Sequence, residues 1–439
     1  MFRSLTTSRV RFLLTIVTGL GLMVSLYLMV DDPFGQWDFH MFYSAANLLA
    51  AGKSPYTPLH PHAGLIGNSI FQFPPLTIYL FQWTTLLSLA SAKLVWLGLK
   101  LVALALFVRL WHKDFEPLDV LWPVALFSAL AFNATVPRDL VTGNISIFEQ
   151  LGIWFAFSLL LRERPYAAAL VLACVAQCKL LPASLIALIP LVRPQDGWKP
   201  FLVGCAAFVG ILSLNQIFSP ELTHNYLSLF SGHYERMDER GINNPSSLAL
   251  LRDIIDLTSI FPGLPYNRTA GTFAYIAYLA ALILLLIRAM WSERAKILRA
   301  EPRLLIYFGC ALYTIAMPRM KDYSYMLMLI PTWFVIRDIG KRGPAPGYFL
   351  FVVGLLVGCQ PQQSYVPGMS VLIYLVQGYL PLLTAAIVMI YTLKLMLNAR
   401  DVADSSRNEP AIGRQPVWLQ DDPDPKAALV SSRASTEYP

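Results

Sequence analysis

Ionisable residues are scarce in this sequence, and the ones that do not belong to basic flanks gather in a few places. The stretch Asp31-Asp32-Pro33-Phe34-Gly35-Gln36-Trp37-Asp38-Phe39-His40 follows the first long apolar run and precedes a helix-compatible segment that closes at Gly52. Asp38 is the leading candidate for general-base chemistry. An Asp ahead of an apolar-periodic run also caps a helix, and the two roles are compatible. Further along, Arg138, Asp139, Asn144, Glu149, Lys179, Arg319, Lys321 and Asp322 fall at the ends of apolar segments. The connection Met317-Pro318-Arg319-Met320-Lys321-Asp322-Tyr323 puts two cations and a carboxylate in a turn too short to be freely solvated. Lys179, Arg319, Lys321 and Arg138 are therefore predicted to line a site for an anionic group, a lipid phosphate first, whose oxygens suit Arg bidentately and Lys as a point charge. The competing expectation is internal pairing, Arg138 with Asp139 or Arg319 with Asp322.

Other chemistries find no support. There is no Walker A loop, no Rossmann glycine fingerprint, no H-E-x-x-H and no G-x-S-x-G, so a nucleotide-activated substrate from the cytoplasm is not expected. No His or Cys residues stand at metal-ligand spacing, Asp31-Asp32 alone is weak evidence, and no metal site is predicted; a divalent ion is possible without being supported. The five cysteines lie in or at the end of apolar runs and read as small buried hydrophobes.

The elements that must carry these residues are membrane helices. The 439 residues are 56% hydrophobic and 14% charged with a mean hydropathy of +0.53, which describes a polytopic membrane protein. The net charge of +7 is assigned to Lys and Arg on the cytoplasmic side, not to nucleic-acid binding. A basic N-terminus before an uncleaved first span at about 12–30 puts Asp38 outside. To keep the later basic turns inside, the segment 74–90 is predicted to enter the outer leaflet and return without crossing. Runs at 166–178 and 182–192 are too short to span fully, so they form a hairpin whose tip, Cys178-Lys179-Leu180-Leu181-Pro182, holds Lys179 at membrane depth. Spans at about 93–110, 118–135 and 145–161 precede this hairpin, and others follow at about 200–218, 271–290, 304–317, 323–336, 348–359 and 369–393, with an outer loop at 219–269. The expectation is an all-α bundle of about twelve crossings over residues 1–397, both termini cytoplasmic, and a disordered cytoplasmic tail at 398–439.

Several motifs resemble one family. Asp38-Phe39-His40-Met41-Phe42-Tyr43-Ser44-Ala45-Ala46, Gly52-Lys53-Ser54-Pro55-Tyr56 and Phe73-Pro74-Pro75-Leu76 resemble the first loop of the integral-membrane GT-C glycosyltransferases. Gly143-Asn144-Ile145-Ser146, Lys179-Leu180-Leu181-Pro182 and Asn244-Pro245-Ser246-Ser247-Leu248 are similar to motifs of glycosyltransferase family 87, in order, over roughly residues 10 to 340. Pro318-Arg319-Met320-Lys321-Asp322-Tyr323 departs from that family's frequent Ser-Pro turn with a nearby His. The resemblance implies a GT-C-type fold and an inverting transfer of a sugar, mannose or arabinofuranose, from a polyprenyl-phosphate donor to a glycolipid or glycan acceptor. It puts Asp38 at the reaction centre on the outer face of the plasma membrane. Asn144 and Asn244 become expected substrate-binding residues, and Trp37, Tyr43 and Tyr56 become candidates for stacking on sugar faces or for interfacial anchoring. A carrier for a lipid-linked precursor is the alternative, with the same cations and no need of a base; a scaffold subunit would have no use for an intramembrane Lys179.

Overall fold

A computed structural model of the chain describes residues 35–56, 71–116, 121–233, 240–258, 268–297, 300–341, 352 and 371–408. The first span at 12–30, Asp31-Asp32, the segment 57–70 with His60 and His62, nearly all of the span expected at 348–359 and the tail beyond 408 lie outside these residues.

Among the described residues every regular element is helical. In chain order the α-helices are α1 (Trp37–Ala50), α2 (Pro75–Leu80), α3 (Leu89–Leu110), α4 (Leu121–Thr142), α5 (Ser146–Leu161), α6 (Pro165–Val175), α7 (Leu188–Val192), α8 (Trp198–Phe218), α9 (Pro220–His233), α10 (Ser247–Thr258), α11 (Arg268–Ile297), α12 (Pro302–Ala316), α13 (Leu329–Lys341) and α14 (Val371–Asn408). Among the described residues four helices are long and apolar enough to cross a membrane: Leu89–Phe115, Trp198–Phe218, Thr269–Glu293 and Tyr374–Asn398. A fifth is gained if the bent pair Phe127–Thr142 and Ser146–Leu161 counts as one span. Shorter apolar helices occupy Pro165–Val175, Leu181–Val192 and Pro302–Ala316. The number of clear spans is thus well below the expected twelve. The difference comes from segments broken by Pro, Gly or 3-10 turns and from the stretches outside the described residues.

The breaks have local causes. Segment 74–90 forms only the six-residue α2 and a 3-10 turn at Gln82–Leu86, with no helix of spanning length. α3 starts cleanly because the Ser88 hydroxyl accepts from the Ser91 amide at 3.3 Å. It then runs 22 residues, about 33 Å at 1.5 Å per residue, without a proline. α4 is interrupted at Ala131–Ala134, where Phe132, Asn133 and Ala134 take positive φ. It is followed by a 118° bend into α5. The Lys179 hairpin is the gap between α6 and a 3-10 helix at Leu181–Ala187 that leads into α7.

Two features dock α1 onto the bundle. An aromatic cluster joins Phe42 to Phe81 (stacked, centroids 4.3 Å apart), Phe39 to Trp96 (stacked, 5.6 Å) and Phe42 to Phe73 (4.7 Å). Phe39, Phe42 and Phe81 are buried, so this face of α1 supplies the apolar burial that holds the helix in place. The indole of Trp96 then donates to the Gly143 carbonyl at 2.8 Å, tying α3 to the α4–α5 corner. The last helix continues to Asn408, into the stretch expected to be disordered.

Candidate functional site

Asp38 sits in the first turn of α1 and is only 7% exposed. Its neighbour Phe39 faces the aromatic cluster, and adjacent helical positions point about 100° apart, so docking of one aims the other elsewhere. The turn before α1 is built for close approach. Gln36 has a left-handed backbone (φ 58°) and donates its amide to the Val141 carbonyl at 2.7 Å. Gly143 lies directly behind it with φ +70°, and a Cβ there would come within 2.9 Å of the Cβ atoms of Gln36 and Phe39. Glycine is therefore required at this corner on both conformational and steric grounds.

That approach brings the α4–α5 corner against the carboxylate. Asn144 Nδ2 donates to Asp38 Oδ2 at 2.6 Å. Asn144 Oδ1 accepts from the Ser146 amide (3.1 Å) and hydroxyl (2.8 Å). Lys179, on the hairpin, donates to Ser146 Oγ at 2.6 Å and pairs with Glu149 Oε2 at 2.7 Å. Its Nζ also lies 5.2 Å from the centre of the Tyr323 ring, within cation–π range. One connected set of polar groups thus runs from the hairpin through α5 to α1.

Behind it stands a buried ion pair. Lys100, from the middle of α3, has Nζ 2.7 Å from Asp139 Oδ2 and donates to the carbonyls of Asp139 and Asn144, the latter at 2.8 Å. Both side chains are essentially inaccessible. The ammonium thus meets one carboxylate oxygen and two backbone carbonyls, and the contact with the Asn144 carbonyl fixes the backbone that presents the Asn144 amide.

The remaining predicted residues lie around this centre. Arg138 forms an ion pair with Asp322 and donates to Asn243 Oδ1 at 3.0 Å. The expected pairings of Arg138 with Asp139 and of Arg319 with Asp322 are therefore replaced by Arg138 with Asp322 and Lys100 with Asp139. Adjacent residues on a helix cannot face each other, which rules out the first. Asn244 Oδ1 accepts from the Met320 amide at 2.9 Å, and Ser246 Oγ donates to the Pro318 carbonyl at 2.7 Å. The 244–247 stretch is in this way stitched to the 317–323 connection. Arg319 donates to Gln72 Oε1 at 3.2 Å. Lys321 is partly exposed and its charge acts on Asp38.

Trp37 is partly exposed. Tyr43 donates its hydroxyl to the Leu87 carbonyl at 3.0 Å. Tyr56 is buried, with its ring against Phe71 and Tyr226 and its hydroxyl on the Phe73 carbonyl at 2.9 Å. The structure thus gives Tyr43 and Tyr56 packing and anchoring contacts within the protein.

Burial pushes the Asp38 carboxyl above the usual carboxylate range, against the opposing influence of the Asn144 hydrogen bond and the positive charges of Lys321, Lys179 and Lys100. His40, one turn along α1 from Gln36, is pushed down to about 4 by burial and by the charge of Lys93. It is neutral at pH 7. Among the described residues no group of three His, Cys, Asp or Glu side chains is arranged to hold a metal ion.

Lys100, Ser146 and Gln36 are members of this neighbourhood that sequence reasoning missed. Lys100 carried a usable signal, since a lysine in the middle of a run long enough to span a membrane must find an internal partner. Gln36 is buried, and among the described residues neither atom of its side-chain amide has a hydrogen-bond partner.

The family model described as glycosyltransferase family 87 matches residues 71–318, more than half of the chain. The matched residues include Lys100, Arg138, Asn144, Ser146, Lys179 and Asn244, and they stop one residue short of Arg319; Asp38 lies ahead of them. A search of curated proteins found no match.

Proposed function

The chain belongs to glycosyltransferase family 87, and from that premise we propose that it is an inverting transferase using a polyprenyl-phosphate sugar, mannose or arabinofuranose, with a hydroxyl of a cell-envelope glycolipid or glycan as acceptor. The observation that carries the reading is the pairing within one site of a buried carboxylate, Asp38, with a lysine, Lys179, linked to it through only two intervening side chains.

In the proposed reaction the acceptor oxygen attacks the anomeric carbon from the face opposite the phosphate. The new C–O bond forms as the bond to the phosphate oxygen breaks, and the electron pair leaves with the phosphate. The acceptor proton goes to Asp38, whose Oδ2 is held by Asn144. Base help of this kind is worth roughly a hundred- to ten-thousandfold. Lys179 stabilises the growing charge on the leaving phosphate, and Arg319 and Lys321 flank it from the 317–323 connection. Arg138 acts indirectly, by fixing Asp322 and Asn243. The cost of ionising a buried Asp38 is offset in part by the surrounding lysines, and the net upward shift makes the carboxylate a stronger base once it is charged.

The same reading places the site on the outer face of the plasma membrane in a bundle of about twelve crossings with both termini cytoplasmic, and the polyprenyl chain in a lipid-facing groove. The test is a transfer assay with the purified protein in lipid and labelled polyprenyl-phosphate mannose and polyprenyl-phosphate arabinofuranose supplied separately. Product from one donor, abolished in Asp38→Asn while donor binding persists, supports the reading. Donor bound and moved across the bilayer with no product, in wild type and variant alike, would favour a carrier.

A further inference from the structure

We propose that Ser146 and Asn144 are positioning residues that join Lys179 to Asp38 in a single directional chain of hydrogen bonds, so that the catalytic base is oriented from the donor-phosphate side of the site. This rests on the reading of Asp38 as the base. Ser146 has no place in the mechanism above, and its role follows from the polarity of its contacts.

A lysine ammonium can only donate, so the 2.6 Å contact from Lys179 requires Ser146 Oγ to accept. The Ser146 hydrogen is thereby directed away from the lysine, and Asn144 Oδ1 receives it at 2.8 Å. The Ser146 amide reaches the same Oδ1 at 3.1 Å. Asn144 must then turn its NH2 toward Asp38, where Oδ2 accepts at 2.6 Å. The cation fixes one end and the ionised carboxylate the other, and only one arrangement of hydrogens satisfies every link. Serial bonds with the same sense polarise one another in a buried setting. The chain is also anchored from behind, because Lys100 holds the Asn144 carbonyl at 2.8 Å.

A through-space effect of Lys179 on Asp38 exists whether or not Ser146 is present. The charged groups that act on Asp38 are Lys100 from α3, Asp139 from α4, Lys179 from the hairpin, and Lys321 and Asp322 from the 317–323 connection. Ser146→Ala leaves every one of these charges in place and removes only the bonded link. It therefore separates a relay from a field.

The experiment measures transfer by the full-length protein in lipid over pH 4 to 9, for wild type, Ser146→Ala, Ser146→Thr, Lys179→Met and the double variant Ser146→Ala/Lys179→Met, with donor KM and thermal midpoint recorded for each. The expected result for Ser146→Ala is a kcat about tenfold lower, a donor KM within about twofold of wild type and an acidic limb moved to higher pH, one charge-assisted contact having been weakened. Ser146→Thr, which keeps the hydroxyl, restores both kcat and the limb. Lys179→Met moves the limb less in the Ser146→Ala background than in wild type.

An unchanged kcat and limb in Ser146→Ala overturns the relay, as does an equal movement of the limb by Lys179→Met in both backgrounds. If Ser146→Ala does not fold, Ser146→Cys, whose thiol is a weak donor and acceptor, takes its place under the same criteria. Failure of the underlying reading looks different: Asp38→Asn then retains transfer, or wild type has no acidic limb, and both ideas fall together. Failure of the relay alone leaves the limb and the Asp38→Asn loss intact.

Discussion

Two polar clusters in this molecule use the same residue types in opposite ways. Where α3 ends, in the π-helical turn Trp111–Phe115, Asp114 is gripped by Arg162 at 2.6 and 2.7 Å and by the Ser158 hydroxyl at 2.6 Å. Glu116 pairs with Arg337 at 2.7 Å and accepts from Tyr307 at 3.4 Å. Each carboxylate there meets a guanidinium directly. Around Asp38 the nearest positive charges are held off: Lys179 pairs with Glu149, Lys100 with Asp139 and Arg138 with Asp322, while Asp38 itself is reached by a neutral amide. A carboxylate neutralised by direct contact fastens helices together. One that feels several cations but touches none stays open to a further partner, and under the proposed function that partner is the acceptor hydroxyl.

Substitutions that treat the two clusters alike break this comparison, and those that separate them sharpen it. The largest effect is expected for Asp38→Asn, with transfer falling by roughly a hundred- to ten-thousandfold at near-normal thermal stability and donor binding, as read in parallel assays of turnover and lipid-donor affinity. Lys100→Met leaves Asp139 buried without its partner. The expected cost is about 3–5 kcal/mol of stability, visible as a lowered thermal midpoint in detergent, with activity lost in step. Lys179→Met removes a cation from the leaving group and is expected to lower kcat by roughly a hundredfold while raising donor KM, a split that steady-state kinetics resolves. Glu116→Gln at the other cluster weakens the Arg337 contact. Its expected signature is the reverse of Asp38→Asn: a stability loss of about 1–3 kcal/mol with kcat unchanged in the protein that remains folded.

The pH dependence is the finest test. Because burial raises the Asp38 carboxyl, its ionised fraction and hence the rate fall as pH drops through a value above the ordinary carboxylate range. His40, held near 4, contributes no limb between pH 5 and 8. A limb in that window which survives in His40→Gln and disappears in Asp38→Asn assigns the titration to Asp38.

Proximity within the candidate site was partly readable: Asp38, Asn144 and Lys179, singled out from the sequence as polar groups beside apolar runs, are brought together through Ser146, and the all-helical membrane character is legible in the composition. The pairing scheme was not readable. Neighbours in sequence suggested Arg138 with Asp139 and Arg319 with Asp322, but consecutive helical residues diverge, and Asp139 meets instead a lysine 39 positions earlier, on α3. Lys100 was passed over although it interrupts the apolar run of α3, because periodicity does not reveal which face of that helix meets protein and which meets lipid. The expected twelve crossings are not established by the described helices, because Pro, Gly and residues of positive φ divide several apolar runs into short helices and turns and part of the chain lies outside the described residues.

The most direct measurement of the central claim is side-by-side transfer by wild type, Asp38→Asn and Asp114→Asn, in lipid, with each polyprenyl-phosphate sugar as donor. Product from wild type and from folded Asp114→Asn, with none from a folded, donor-binding Asp38→Asn, is the result this account predicts. Equal loss in both variants, or transfer preserved in Asp38→Asn, would contradict it.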